Sequence, residues 1–251
     1  MRRGRTVGEL RWPNTANFVA MARRWRADAS QLLLEFIWAG CDLLRGDVLS
    51  LIDTAQAEED IERNLTQLLV PRVRARMSGF EPFDFEHGPY EDESRRPPPA
   101  QPPQYDMAFV LKQNPRVMWP VEAKVLWTDR SVAAYVADVK NEFLTCRYAP
   151  FSSEGGMLGY LFSGDPNEAL ANIGRTLGCS LADHPHFSRR KHKTSDHVRS
   201  VPKGKSYPRS FRCHHLVLEM QVTAPSSVPD THKSFPGLML NANGPQNEAN
   251  V

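Results

Sequence analysis

Two short apolar runs, each broken by isolated charges, constrain this chain more than any other feature. Tyr-Asp-Met-Ala-Phe-Val-Leu at 105–111 and Val-Met-Trp-Pro-Val-Glu-Ala-Lys-Val-Leu at 117–126 read as neighbouring strands. Strand side chains alternate between faces, so Glu122 and Lys124 share one face while Val121, Ala123 and Val125 take the other. Asp106 shares its face with Ala108 and Val110. Charges set singly on otherwise apolar strands are costly unless paired or metal-bound. A solvated strand face carrying a structural ion pair would be polar along its whole length. Residues 117–127 are instead apolar apart from Glu122 and Lys124.

Two carboxylates on adjacent strands, with an ammonium two residues on, can hold a divalent metal and set a cation beside the water it activates. Oxygen ligands are what Mg²⁺ and Mn²⁺ prefer, with phosphate and water completing the shell. The spacing Asp-x15-Glu-x-Lys, with both halves on β-type segments, resembles the PD-(D/E)xK nuclease superfamily of restriction-endonuclease-like fold. Tyr105 stands where that superfamily often has proline.

The resemblance implies a Mg²⁺- or Mn²⁺-dependent endodeoxyribonuclease, with Asp106 and Glu122 as metal ligands and Lys124 orienting or helping to deprotonate the attacking water. It implies DNA as partner, with RNA left open, and restriction or bacterial anti-phage defence as the role. A glutamate on the first core helix is implied as a further metal or water contact. Glu58, which shares the face of Ile61, is the first choice, Glu62 the second and Glu59 the third. The competing reading is a catalytically inactive or partner-gated nucleic-acid-binding subunit of a larger complex.

The expected fold class is α/β, a mixed central sheet flanked by helices, with an αβββαβ core at 57–222 and an N-terminal helical extension at 1–56. Ile61, Leu65, Leu68 and Leu69 give residues 57–70 a helical stripe, which Pro71 is expected to end or kink. An alternating run at 83–87 supplies a first strand, and the proline-rich stretch 91–103 a loop. Asp129 or Ser131 is expected to cap a helix bearing Val132, Tyr135, Val136, Val139, Phe143 and Cys146 on one side, with Lys140 a candidate to face the site. A strand at 155–162 then lies parallel to the Glu122 strand. Asp165-Pro-Asn-Glu168 starts another helix that Gly178 stops, and 213–220 is a late strand. In the extension, 18–25 and 32–51 read as amphipathic helices. They pack on the core or serve a protein partner or self-association. Residues 223–251, rich in Pro, Ser, Asn and Gly, read as a disordered tail.

The stretch 184–212 reads as a basic loop. Between 189 and 209 it carries eight Lys or Arg against the single acid Asp196. Arg189, Arg190, Lys191, Lys193, Arg199, Lys203 and Lys205 are candidate backbone contacts to nucleic acid, or simply a solvated segment, since the whole chain carries only +2. His184, His186, His192, His197, His214 and His215 with Cys179 and Cys213 lack the short paired spacing of a zinc finger or ribbon, so structural zinc is not expected. The four cysteines are scattered and no apolar run reaches membrane-spanning length, pointing to a reduced, cytoplasmic protein with no membrane partner.

Overall fold

A seven-stranded mixed sheet, with central strands buried on both faces, organises the computed structural model, which describes residues 28–47, 55–94 and 101–220. The strands are β1 (Phe83–His87), β2 (Met107–Leu111), β3 (Met118–Leu126), β4 (Glu154–Leu161), β5 (Ala182–Asp183), β6 (His192–Val198) and β7 (Ser210–Glu219). Their spatial order is β1-β2-β3-β4-β7-β6-β5, with β3, β4 and β7 parallel and the other neighbours antiparallel. The helices are α1 (Ala29–Asp47), α2 (Glu58–Arg74), α3 (Ala133–Asp138), which runs on as a π-helical turn over Val139–Phe143, and α4 (Pro166–Leu177).

Each face of the sheet carries its own core. Against α1 and α2 lie Phe83, Phe85, Phe109, Val121, Ala123 and Val125. Against α3 and α4 lie Ala108, Val110, Met157, Phe211 and Val217. Within α1, Leu32, Leu33, Leu34, Ile37 and Trp38 are all buried, so this apolar stretch packs on the core. The α1–α2 crossing is tight: a Cβ at Gly40 would stand 2.5 Å from Val73 Cγ2 and 2.9 Å from the Val73 backbone nitrogen.

Three local expectations are corrected. Pro71 does not end helix α2, which continues to Arg74 with Val70 and Val73 buried and the Ala75 N–H closing on Pro71 O at 2.9 Å. Neither Asp129 nor Ser131 caps α3. Val132 holds that position, Ser131 Oγ lies 3.0 Å from Thr128 Oγ1, and Asp129 Oδ2 accepts from the Asp165 N–H at 3.2 Å. The 184–212 stretch is no simple loop, since its centre forms β6 and pairs along β7, whose edge would otherwise stand open. The α4 expectation holds: Asp165 Oδ1 accepts from the N–H groups of Asn167 and Glu168, and Gly178 closes the helix at φ 77°. Residues 18–25, the end of the 32–51 segment, part of the 91–103 stretch and the 223–251 tail lie outside the described residues.

Candidate carboxylate–lysine site

The site begins where β2 stops. Pairing of β2 with β3 ends at Met107 opposite Val121, which leaves the following N–H groups on that edge of β3 without a β2 backbone to meet. Buried backbone donors need acceptors. The Ala123 N–H donates to Asp106 Oδ2 at 2.7 Å, and the Val125 N–H donates to Glu62 Oε2 at 3.2 Å. One carboxylate therefore arrives from the residue preceding β2 and another from α2, drawn to the same strand edge.

Lys124 sits among them. Its Nζ lies 2.9 Å from Glu62 Oε1, 3.2 Å from Asp138 Oδ2 and 3.6 Å from Glu122 Oε1. Burial works against the lysine's charge, but Glu122, Asp106, Glu62 and Asp138 outweigh it and hold its pKa above the ordinary value. The acids suffer the reverse. Burial pushes Glu62 up to about 7, with Lys124 pulling the other way. Burial first, then Asp106, drive Glu122 well above the usual carboxylate range, and burial also raises Asp138. Four carboxylates face one ammonium. Such an excess is relieved by retained protons or by a divalent cation, and the donors are the oxygens that Mg²⁺ and Mn²⁺ take.

Asp106, Glu122 and Lys124 come together as the sequence pattern anticipates. Of the three helix glutamates, Glu62 is the one in contact with Lys124. Glu58 accepts from Trp127 Nε1 at 2.8 Å, and Glu59 is exposed. Lys140 does not face the site: it donates to Thr176 O at 2.8 Å. Asp138, absent from the sequence-based set, fills that role from the end of α3.

The basic residues are largely spent inside the fold. Arg190 makes a two-pronged pair with Asp42 at 2.6 Å and lies over the Trp38 ring. Lys191 reaches Asn167 Oδ1, Lys193 reaches Asp183 and Lys205 reaches Glu93. Arg199 is buried and donates to the carbonyls of Phe143, Ser152, Tyr148 and Ala149, so it is a structural tie and no part of a clamp. Arg189 and Lys203 are exposed with no side-chain partner among the described residues.

A second polar group, His184, His192 and His214, is buried on the opposite face. Burial lowers the His192 pKa to about 2 and that of His184 to about 4, so both rings are neutral. No described helix is long and apolar enough to cross a membrane. Comparison with protein-family models, curated proteins and solved structures finds no match to this chain.

Proposed function

We propose that this protein is a metal-dependent nuclease that hydrolyses DNA phosphodiester bonds, with an αβββαβ core of restriction-endonuclease-like type formed by α2, β1, β2, β3, α3 and β4. The observation that carries the reading is the convergence of Asp106, Glu122 and Glu62 with Lys124 on the β3 edge. Asp106 and Glu122 would hold Mg²⁺ or Mn²⁺, with Glu62 near enough to contribute. A bound divalent ion would polarise the scissile phosphate and lower the pKa of its water. Lys124, released from part of its carboxylate cage once those oxygens turn to the metal, would orient the attacking water and offset charge on the phosphorane. Bacterial anti-phage defence or restriction is the proposed role, resting on the resemblance of the Asp-x15-Glu-x-Lys pattern.

The test is cleavage of plasmid and linear DNA with Mg²⁺ or Mn²⁺ by the wild-type chain, Asp106→Ala and Lys124→Ala, with folding checked by circular dichroism. Cutting by the wild type that falls at least about 10³-fold in both folded variants is expected, since each removes a group acting at the reacting phosphate. Absence of both cutting and calorimetric Mg²⁺ or Mn²⁺ binding in the wild type would sink the reading.

A further inference from the structure

We propose that His184, His192 and His214 form a binding site for a zinc-type divalent metal, separate from the carboxylate–lysine site and on the other face of the sheet. The ligand nitrogens of the three rings all lie within 4.8 Å of one another, and all three residues are buried. His192 Nε2 and His214 Nδ1 are 3.3 Å apart. Two nitrogens held about 2.0–2.1 Å from a tetrahedral metal stand about 3.3 Å from each other, so this pair already has the required separation. Three imidazoles are a donor set for Zn²⁺, Co²⁺ or Ni²⁺ and a poor one for Mg²⁺.

Strand register explains how ligands so distant in sequence meet. His214 of β7 pairs with Thr194, and His192 of β6 pairs with Leu216, making the two histidines diagonal neighbours on one face. His184 precedes the short 3₁₀ turn Pro185–Phe187, and its ring centroid lies 4.7 Å from that of His192.

The second observation is outside the trio. His214 Nε2 is buried without a hydrogen-bond partner, as is Glu154 Oε2, and the two atoms face each other at 3.5 Å. A carboxylate beyond a ligating histidine fixes the ring's tautomer and raises its basicity. A proton on Nε2, turned toward Glu154, leaves the Nδ1 lone pair for the metal. On the far side, His192 Nδ1 accepts from Trp38 Nε1 at 3.2 Å, so the metal-free ring carries its proton on Nε2. When a metal takes Nε2, that proton moves to Nδ1 and the Trp38 contact ends. Loading is therefore expected to change the surroundings of Trp38. A cleft of about 360 Å³, lined in part by Trp38, His186, Phe187 and Arg190, opens beside the cluster.

The full-length chain, purified without a metal-affinity step, should contain close to one equivalent of zinc by elemental analysis, or take it up at micromolar concentration with a rise in melting temperature. Cobalt loading should give the visible bands of a four-coordinate site with three nitrogen ligands. His214→Ala should lose both signals, while Glu122→Ala keeps them. Glu154→Gln should fold and weaken zinc about 10- to 100-fold, which keeps the test alive if His214→Ala does not fold. A folded wild type that takes up neither zinc nor cobalt would overturn the proposal and leave the three rings as a hydrogen-bonded core. So would zinc lost in Glu122→Ala but kept in His214→Ala.

Discussion

The two faces of the sheet bury polar groups by opposite means. On one, Lys124 stands among Glu62, Asp106, Glu122 and Asp138, where burial pushes Glu62 up to about 7, and burial first, then Asp106, drive Glu122 well above the usual carboxylate range. On the other, His184 and His192 escape charge altogether, because burial lowers both below any ordinary working pH. A crowd of acids demands a cation or a proton. The two neutral rings of His184 and His192 need hydrogen-bond partners and no counter-charge.

Removing one member from each face gives the largest contrast. Lys124→Met takes away the one ammonium that the described residues set among the four carboxylates and should cost about 3 kcal/mol at pH 8, the scale seen when one partner of a buried pair is removed. The loss should shrink at pH 5, where Glu62 holds a proton, and Mg²⁺ should restore part of it. His192→Phe keeps shape and neutrality but leaves the Trp38 N–H without its acceptor and His214 Nδ1 without its neighbour, for about 1–3 kcal/mol. Urea titration of both variants decides it. Equal costs at both pH values would mean that charge is not what distinguishes the faces.

Acid titration of the metal-free protein should pull the faces in opposite directions. His192 ordinarily titrates near 6.5 and in the fold near 2, so it binds a proton on unfolding at any pH between. Its stabilising contribution is complete above 6.5 and is lost as pH falls from there, by up to about 1.4 kcal/mol per pH unit. Glu62 moves from 4.5 to about 7 and releases a proton on unfolding in that window. Its effect is to weaken the fold as pH rises from 4.5 to 7, by about 2–3 kcal/mol in all. With chelator present, Glu62→Gln should lessen the decline toward neutrality, leaving the share of Glu122 and Asp138, and His192→Asn should reduce the loss below pH 6.5. Melting curves that depend on pH identically in both variants and the wild type would contradict both shifts.

What the sequence revealed of these faces follows from the range over which its patterns act. Asp106, Glu122 and Lys124 were readable because alternation along a strand needs only the strand itself, and single charges among apolar neighbours stand out. The sequence ranked Glu58 before Glu62 and the structure puts Glu62 on Lys124, because the two lie four residues apart on one helical stripe and differ only in how far α2 slides along β3. One turn, about 5.4 Å, decides which reaches Lys124. The histidine trio was hidden for a stronger reason. The search for zinc looks for ligands paired closely in the chain, whereas His192 and His214 meet through the pairing of β6 with β7. The ion pairs of the basic stretch were hidden in the same way, because partners such as Asp42 and Glu93 lie far from it in sequence.

The smallest effect tests how the carboxylate side balances. Asp138 attracts Lys124 at 3.2 Å, yet it also repels Asp106, and burial raises its own pKa. Asp138→Asn removes one ion pair and one source of repulsion together, while the amide can still accept from Lys124. The two changes oppose each other, so stability should move by less than about 1 kcal/mol, in keeping with a partly exposed pair. Lys124 keeps Glu62 at 2.9 Å and stays in place. A loss above about 2 kcal/mol by urea titration at pH 7 would make Asp138 the chief anchor of the lysine, and the carboxylate excess a weaker feature of this face than its geometry suggests.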